Sequence, residues 1–229
     1  MSELIDTTQM YLRTVYELIE AGIEPRRARI VERLHQAGPT VSQTVARMER
    51  DGLVFLRDGR TIALTDEGFA ESRNVMRRHR LSECLIVNDI GVDFHGAHEE
   101  ACRWEHVISE PVAEKMAAML GAPRFTPYGT PIPGSDDQDI PLLDLLGTDL
   151  ATAVGSGLAQ AEFVLVDEHA QCQPRLLAEL QEAEIVPGTA VQLAGEREDY
   201  LLTTASGARV HVPQEYGGSL RVRAIGPTE

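Results

Sequence analysis

Lysine is all but missing from this chain: among 21 basic side chains only Lys115 carries an ammonium, and the rest are arginines. Arginine is the better partner for bidentate contacts to phosphate and guanine, although genomic base composition produces the same bias. Cysteine is scarce too. Cys84, Cys102 and Cys172 are an odd number, which excludes a full disulfide framework and fits reduced thiols. Aromatic residues make up only 5% of the chain. No run of about 18 apolar residues exists, which excludes a spanning helix. The opening MSELIDTTQM has neither a basic nor an apolar leader region, so a cytoplasmic protein without membrane partners is expected. Internal repeats are absent.

What remains is an ordinary globular composition, 43% hydrophobic and 25% charged over 229 residues, long enough for two or three modest domains. The formal net charge of −15 argues against indiscriminate binding to polyanions. Its distribution is uneven, however. Residues 1–60 hold nine arginines and nine acidic side chains, so the whole deficit lies in residues 61–229. A nucleic-acid surface, if present, belongs to the first part.

Helical spacing of Met10, Tyr11, Thr14, Val15 and Leu18 predicts an amphipathic first helix. After a break at Gly22–Pro25, a short helix is expected over 26–36 and another over 40–50, with Gly38-Pro39 between them. This is a helix-turn-helix pattern. The runs Leu53–Leu56 and Thr61–Leu64 flank Asp58-Gly59, a strong hairpin signal, and a hairpin in that place is a wing. Helical character resumes at Thr65-Asp-Glu67 and is expected through 80–87 and 95–120. Between Gly121 and Gly147 the chain turns rich in Pro, Gly and Asp, as a linker or surface segment does. Short alternating runs at 163–166, 190–193, 200–202, 209–212 and 220–224, with one helix near 174–183, predict a small β-barrel.

His98, Cys102, Glu105 and His106 fall at i, i+4, i+7 and i+8, so on one helix they would share a face. His79 and Glu83, four apart, offer a second pair. An isolated His/Glu pair is usually a solvated helix face. Six such residues within 28 positions read instead as ligands, and nitrogen, sulfur and carboxylate together suit a divalent first-row transition ion better than calcium or magnesium. A metal-dependent enzyme is the reading from another class. His98-Glu-Glu-Ala-Cys102 lacks the His-Glu-x-x-His pattern of a zinc protease helix.

In the expected reading helix, Thr40, Ser42, Gln43 and Thr44 stand at the front, Arg47 and Arg50 follow, and Val41, Val45 and Met48 face inward. Small side chains permit close approach to base edges while hydroxyls and arginines reach phosphates. Arg26, Arg27 and Arg29 at the preceding helix start and Arg57 and Arg60 in the wing extend the basic face.

With these features in one chain, the strings Asp6-Thr-Thr-x-Met10-Tyr-Leu-Arg-Thr, Arg27-Ala-Arg-Ile, Gly38-Pro-Thr-Val-Ser-Gln-Thr-Val-Ala-Arg-Met-Glu-Arg-Asp-Gly-Leu53, Met76-Arg-x-His-Arg-Leu81 and Glu100-Ala-Cys-Arg-Trp-Glu-His-Val107 resemble the iron-dependent repressors of the diphtheria toxin repressor family. The likeness is near-continuous over 1–134 and loose beyond. It implies an α+β protein: a winged helix-turn-helix domain (1–73), a helical dimerisation and metal-binding domain (74–140), a linker (141–150) and an SH3-like small β-barrel (151–229).

The resemblance further implies two metal sites per subunit. The regulatory one would be Met10, Cys102, Glu105 and His106, and the ancillary one His79, Glu83 and His98 with Glu168 and Gln171 from the third domain. Fe²⁺ is the implied ion, with Co²⁺, Ni²⁺, Mn²⁺ and Zn²⁺ as surrogates; a manganese-responsive regulator of transport genes is the alternative, although Met10 and Cys102 favour softer ions. The implied DNA contacts are Thr7, Arg27, Ala28, Arg29, Pro39, Thr40, Ser42, Gln43, Thr44, Arg47, Arg50 and Arg60. Ala37 stands where relatives often carry a phosphate-contacting Ser. The expected partner is a palindromic duplex operator upstream of iron-acquisition genes, bound by one or two homodimers joined through the helices around 85–120, Trp104 included. Without metal, residues 1–10 would clash with DNA or leave the reading helices misplaced.

Overall fold

The computed structural model describes residues 6–225; the expectation about the first ten residues therefore lies partly outside the described residues. Helix α1 (Thr7–Glu20) starts where the Asp6 carboxylate accepts from the Thr8 and Gln9 amides, at 2.8 and 3.2 Å, filling two of the donors that a helix start leaves open. It is buried almost all round from Tyr11 to Glu20, Arg13, Glu17 and Glu20 included. A helix so enclosed must supply partners for its own charges.

Helices α2 (Arg27–Leu34) and α3 (Gly38–Arg50) follow, joined through His35 in the left-handed region, with Pro39 in the first turn of α3. Strands β1 (Val54–Arg57) and β2 (Thr61–Leu64) form the hairpin. Asp58 and Gly59 both have positive φ, 52° and 71°, and with Arg60 they make a three-residue connection in which the Arg60 amide donates to the Arg57 carbonyl. Tyr11, Leu12, Val15, Ile30, Val41, Val45, Met48, Val54 and Ile62 close one core beneath these elements. The expected inward face of α3 is the observed one.

Thr65 caps α4 (Asp66–Cys84) through its hydroxyl and also donates to the Gly52 carbonyl at 2.7 Å, tying the helix start to the turn after α3. A π-helical turn over Leu85–Ile90 ends α4. Then come α5 (Phe94–Trp104) and α6 (Glu110–Met119). The continuous helix expected over 95–120 is thus two. Helix α5 stops at Trp104, Glu105 caps it, and His106 sits in the turn beyond, so the four residues read as one helix face come from a helix and the loop that leaves it.

The Pro-rich stretch after α6 also differs from its expected surface role. Thr126, Tyr128 and Thr130 are buried; the Tyr128 hydroxyl donates to the Phe94 carbonyl at 2.5 Å, and its own carbonyl accepts from the Val166 amide. Satisfied this way, a polar segment can lie inside.

Strand β3 (Thr148–Asp149), helix α7 (Leu150–Gly155), β4 (Gln160–Val166), the short α8 (Glu168–Gln171), α9 (Pro174–Glu182), β5 (Ala190–Gly195), β6 (Asp199–Thr204), β7 (Arg209–Pro213) and β8 (Leu220–Ala224) complete the chain. The six strands pair antiparallel in the order β3-β8-β4-β5-β6-β7, with an irregularity in β4 between Phe163 and Leu165 that bends the sheet. The segment 141–150 is tied down: Leu143 and Leu150 are buried, and β3 pairs with β8. α5 packs on α8 and α9, which brings the third unit against the helix carrying His98.

Candidate metal centre and DNA-reading face

Two helices and the cap of one of them meet at one buried polar cluster. Helix α4 supplies His79 and Glu83, and α5 supplies His98 and Cys102, both at helical i, i+4 spacing, while Glu105 enters from the α5 cap. His79 Nε2 lies 2.9 Å from Glu83 Oε1, His98 Nδ1 lies 3.1 Å from the same oxygen, and the two nitrogens are 3.2 Å apart. Ligand bonds of about 2.1 Å put adjacent octahedral donors about 3.0 Å apart. The three atoms therefore stand at ligand spacing before any ion is considered.

Donor atoms of His79, His98 and Cys102 also lie within 4.8 Å of one another. Two acceptors are idle: Glu83 Oε2 in the cluster, and Gln171 Oε1 in the residue before the Cys172 that reaches His98, are buried without a hydrogen-bond partner. Buried orphan oxygens are rare and costly, and a cation is the partner this donor set lacks. The residues fit a divalent transition ion.

Electrostatics agree. Burial alone would push Glu83 up, but His79 and His98 outweigh it and hold its carboxyl at about 2. Glu105 is likewise pushed up by burial and brought to about 2 by Arg13 and His79. Burial opposes charge on Cys102 as well, yet Arg13 and His98 hold the thiol well below its ordinary range. Anionic oxygen and sulfur are thus ready as ligands.

The expected regulatory set is only partly assembled. Glu105 Oε1 faces His106 Nε2 at 3.4 Å, and His106 Nδ1 faces Gln9 Oε1 at 2.9 Å. Met10 packs half-buried against the amino-terminal core. The α1 side chain that reaches Cys102 and Glu105 is Arg13, at 3.1 and 2.7 Å. Of the third-unit pair, Gln171 Nε2 donates to the Val166 carbonyl at 2.8 Å, while Glu168 Oε1 accepts from Arg80 at 2.8 and 2.5 Å. Cys172, one residue further, brings its Sγ to 3.5 Å from His98 Nε2.

Sequence reasoning passed over Arg13, Cys172 and the buried Arg80–Glu20 pair. Arg13 alone had a sequence signal, standing one turn from Met10 on the same side of α1.

In the amino-terminal unit, Thr7, Ala28, Arg29, Pro39, Thr40, Ser42, Gln43, Arg47, Arg50 and Arg60 are exposed and Arg27 is half-buried. Thr44 is the exception: it is buried, facing the core beside Val45. Among the described residues Arg27, Arg47, Arg50, Arg57 and Arg60 form no ion pair, leaving their charge for phosphate. No helix among the described residues is long and apolar enough to cross a membrane.

Residues 3–60 match the family described as iron dependent repressor, N-terminal DNA binding domain, and residues 65–134 match iron dependent repressor, metal binding and dimerisation domain. The chain is 40% identical over 227 residues to the diphtheria toxin repressor of Corynebacterium diphtheriae, covering 98% of this chain and 100% of that protein. It is 46% identical over 195 residues to the iron-dependent repressor IdeR of Mycobacterium tuberculosis, covering 83% and 85%. In fold it is similar to a solved manganese-dependent transcriptional repressor in complex with manganese, at a TM-score of 0.79 and 24% identity over 96% of this chain and all of that one. With likeness at this level along its whole length, the chain belongs to the iron-dependent repressor family, as a dimerising, DNA-binding transcriptional repressor that responds to a divalent metal and is not an enzyme.

Proposed function

We propose that the chain is an Fe²⁺-activated repressor, cytoplasmic, that binds palindromic operators as one or two homodimers and controls iron-acquisition and iron-homeostasis genes. The observation that carries the metal half of this reading is the triad His79 Nε2, Glu83 Oε1 and His98 Nδ1 at 2.9–3.2 Å. On this reading His79, Glu83 and His98, with Gln171 and Glu168, hold an ancillary ion. Met10, Cys102, Glu105 and His106 hold the regulatory one. Thiolate and thioether donors favour Fe²⁺ and its later neighbours over Mn²⁺, and the Irving–Williams order makes Co²⁺, Ni²⁺ and Zn²⁺ effective surrogates outside the cell.

A bound ion supplies positive charge that joins α1 to α5. Met10 on α1 and Cys102, Glu105 and His106 at the end of α5 would then stay together, which fixes α1. Because Tyr11, Leu12 and Val15 share a core with Val41, Val45 and Met48, a fixed α1 fixes the reading helix, and the binding-competent population rises by the ion's differential affinity for it. Thr7, Arg27, Ala28, Arg29, Pro39, Thr40, Ser42, Gln43, Thr44, Arg47, Arg50 and Arg60 form the DNA face in this reading, Thr44 through the least surface. Exposed Ile90, Val92 and Val107, with Trp104 between, support dimerisation through the helices around 85–120. The domain limits stay those implied by resemblance, 1–73, 74–140 and 151–229, except that 141–150, expected as a linker, is joined to the third unit by the pairing of β3 with β8.

A gel-shift series on a palindromic duplex decides the matter, with Fe²⁺, Co²⁺, Ni²⁺, Zn²⁺ and Mn²⁺ and a chelator control. Retardation with Fe²⁺ or Co²⁺ that the chelator reverses is the expected result. Retardation indifferent to chelator would refute metal activation, and activation by Mn²⁺ alone would replace iron with manganese.

A further inference from the structure

Arg13 lies in the middle of α1, with only 8% of its surface exposed. Its Nη1 lies 2.7 Å from Glu105 Oε2, 3.1 Å from Cys102 Sγ and 3.0 Å from His79 Nδ1, while Nε lies 3.0 Å from Glu17 Oε1. The sulfur and a carboxylate oxygen of two residues assigned to the regulatory ion thus converge on one guanidinium nitrogen. A buried guanidinium persists only with anionic partners, and buried anions persist only with a cation. Each meets the other's need here.

We propose that Arg13 is a built-in competitor for the regulatory metal: its guanidinium occupies the Cys102 sulfur and the Glu105 carboxylate while the ion is absent, sets the metal concentration at which the repressor responds, and must withdraw for the ion to bind. The proposal rests on the assignment of Cys102 and Glu105 as ligands. A divalent ion and a guanidinium cannot share the same thiolate and carboxylate atoms, because like charges repel strongly where water is excluded. Part of the metal's binding energy is therefore spent on expelling Arg13, so the observed affinity is lower than the ligand set alone would give.

Withdrawal has a direction. Arg13 and Met10 are three residues apart on one side of α1, so loss of the Arg13 contacts and approach of Met10 are two aspects of one adjustment of that helix. Arginine suits this role better than lysine, because its planar fork reaches several partners and never loses its proton.

The test is a Co²⁺ titration of the full reduced chain, read by the thiolate-to-cobalt absorption band, for the wild type, Arg13→Met, Arg13→Gln and Arg13→Lys. The neutral variants should bind cobalt about tenfold more tightly than wild type, within the usual range of coupling between competing groups. The Lys variant should fall between, and it keeps the charge balance should a neutral variant fail to fold without metal. Neutral variants that bind equally or more weakly, with the band intact, overturn the proposal, as does a folded Lys variant no tighter than wild type where neither neutral variant folds. Failure of the ligand assignment is reported separately: a wild type without the band, or a Cys102→Ser variant of unchanged affinity, removes the assignment itself.

Discussion

Nε2 of His98 lies 3.5 Å from Cys102 Sγ, while Nδ1 of the same ring lies 3.1 Å from Glu83 Oε1. One imidazole thereby touches both proposed metal sites. With Glu83 holding one nitrogen, the other is oriented toward the thiolate, an arrangement whose loss commonly costs about 10–100-fold in metal affinity. Glu83→Gln should consequently weaken cobalt binding at Cys102, moving the thiolate band to roughly tenfold higher cobalt. An unmoved titration curve with the ancillary ion lost would mean that the two sites are independent.

Much of this centre was legible because it obeys helical spacing. His79 with Glu83 and His98 with Cys102 are each four apart, and tertiary packing only had to cross α4 with α5. Glu105 and His106 continue the same spacing, yet the helix stops at Trp104, and no Gly or Pro before Pro111 announces it. Arg13 carried a signal in its spacing from Met10 but none in its residue type. An arginine in an amphipathic helix reads as solvent-facing, and only the packing of α1 against α4 encloses it. Tyr128 was hidden by its Pro-rich surroundings, since its burial depends on a distant acceptor, the Phe94 carbonyl.

Gly68 is where the DNA-reading unit meets the metal-binding one. A Cβ there would lie 1.8 Å from the Leu53 carbonyl oxygen, which is backbone and cannot swing aside. Thr65 meanwhile holds α4 to the same turn through the Gly52 and Leu53 carbonyls. Gly68→Ala should destabilise the chain by about 3 kcal/mol, the upper range for overpacking, measured by denaturant unfolding. Metal-dependent DNA binding should weaken with it. Unfolding at wild-type denaturant concentrations would show that the turn yields freely.

Arg80 joins three elements. Its guanidinium donates to Glu20 on α1 at 2.8 and 2.5 Å and to Glu168 on α8 at 2.8 and 2.5 Å, and all three side chains are buried. Arg80→Met leaves two carboxylates enclosed without a cation and should cost about 3–5 kcal/mol. Burial already raises Glu20 from 4.5 to about 7 against the pull of Arg80, so removing Arg80 raises it further. A carboxyl raised on folding binds more protons folded than unfolded, and stability falls as pH rises. The deficit of Arg80→Met should therefore widen from about pH 7 upward, where wild-type Glu20 ionises while the variant's stays protonated, and Glu20→Gln in the same chain should flatten that slope. A deficit constant with pH would exclude Glu20 as its source.

Ala37 caps α3 with φ −66° and ψ 138°, the extended geometry of a helix cap, but has no side-chain oxygen to offer. Pro39 at the second helical position carries no N–H, so the amide a cap would serve is that of Thr40. A serine hydroxyl can accept from that amide and donate its own proton to a phosphate at the same time. Ala37→Ser should add about 1 kcal/mol to stability and tighten operator binding by roughly two- to tenfold, the worth of one hydrogen bond. Because the new contact carries no charge, the dependence of affinity on salt should keep its slope. Stabilisation without tighter binding would mean that this helix start stands away from the backbone of the DNA, and a steeper salt dependence would mean that the substitution has moved an arginine onto a phosphate.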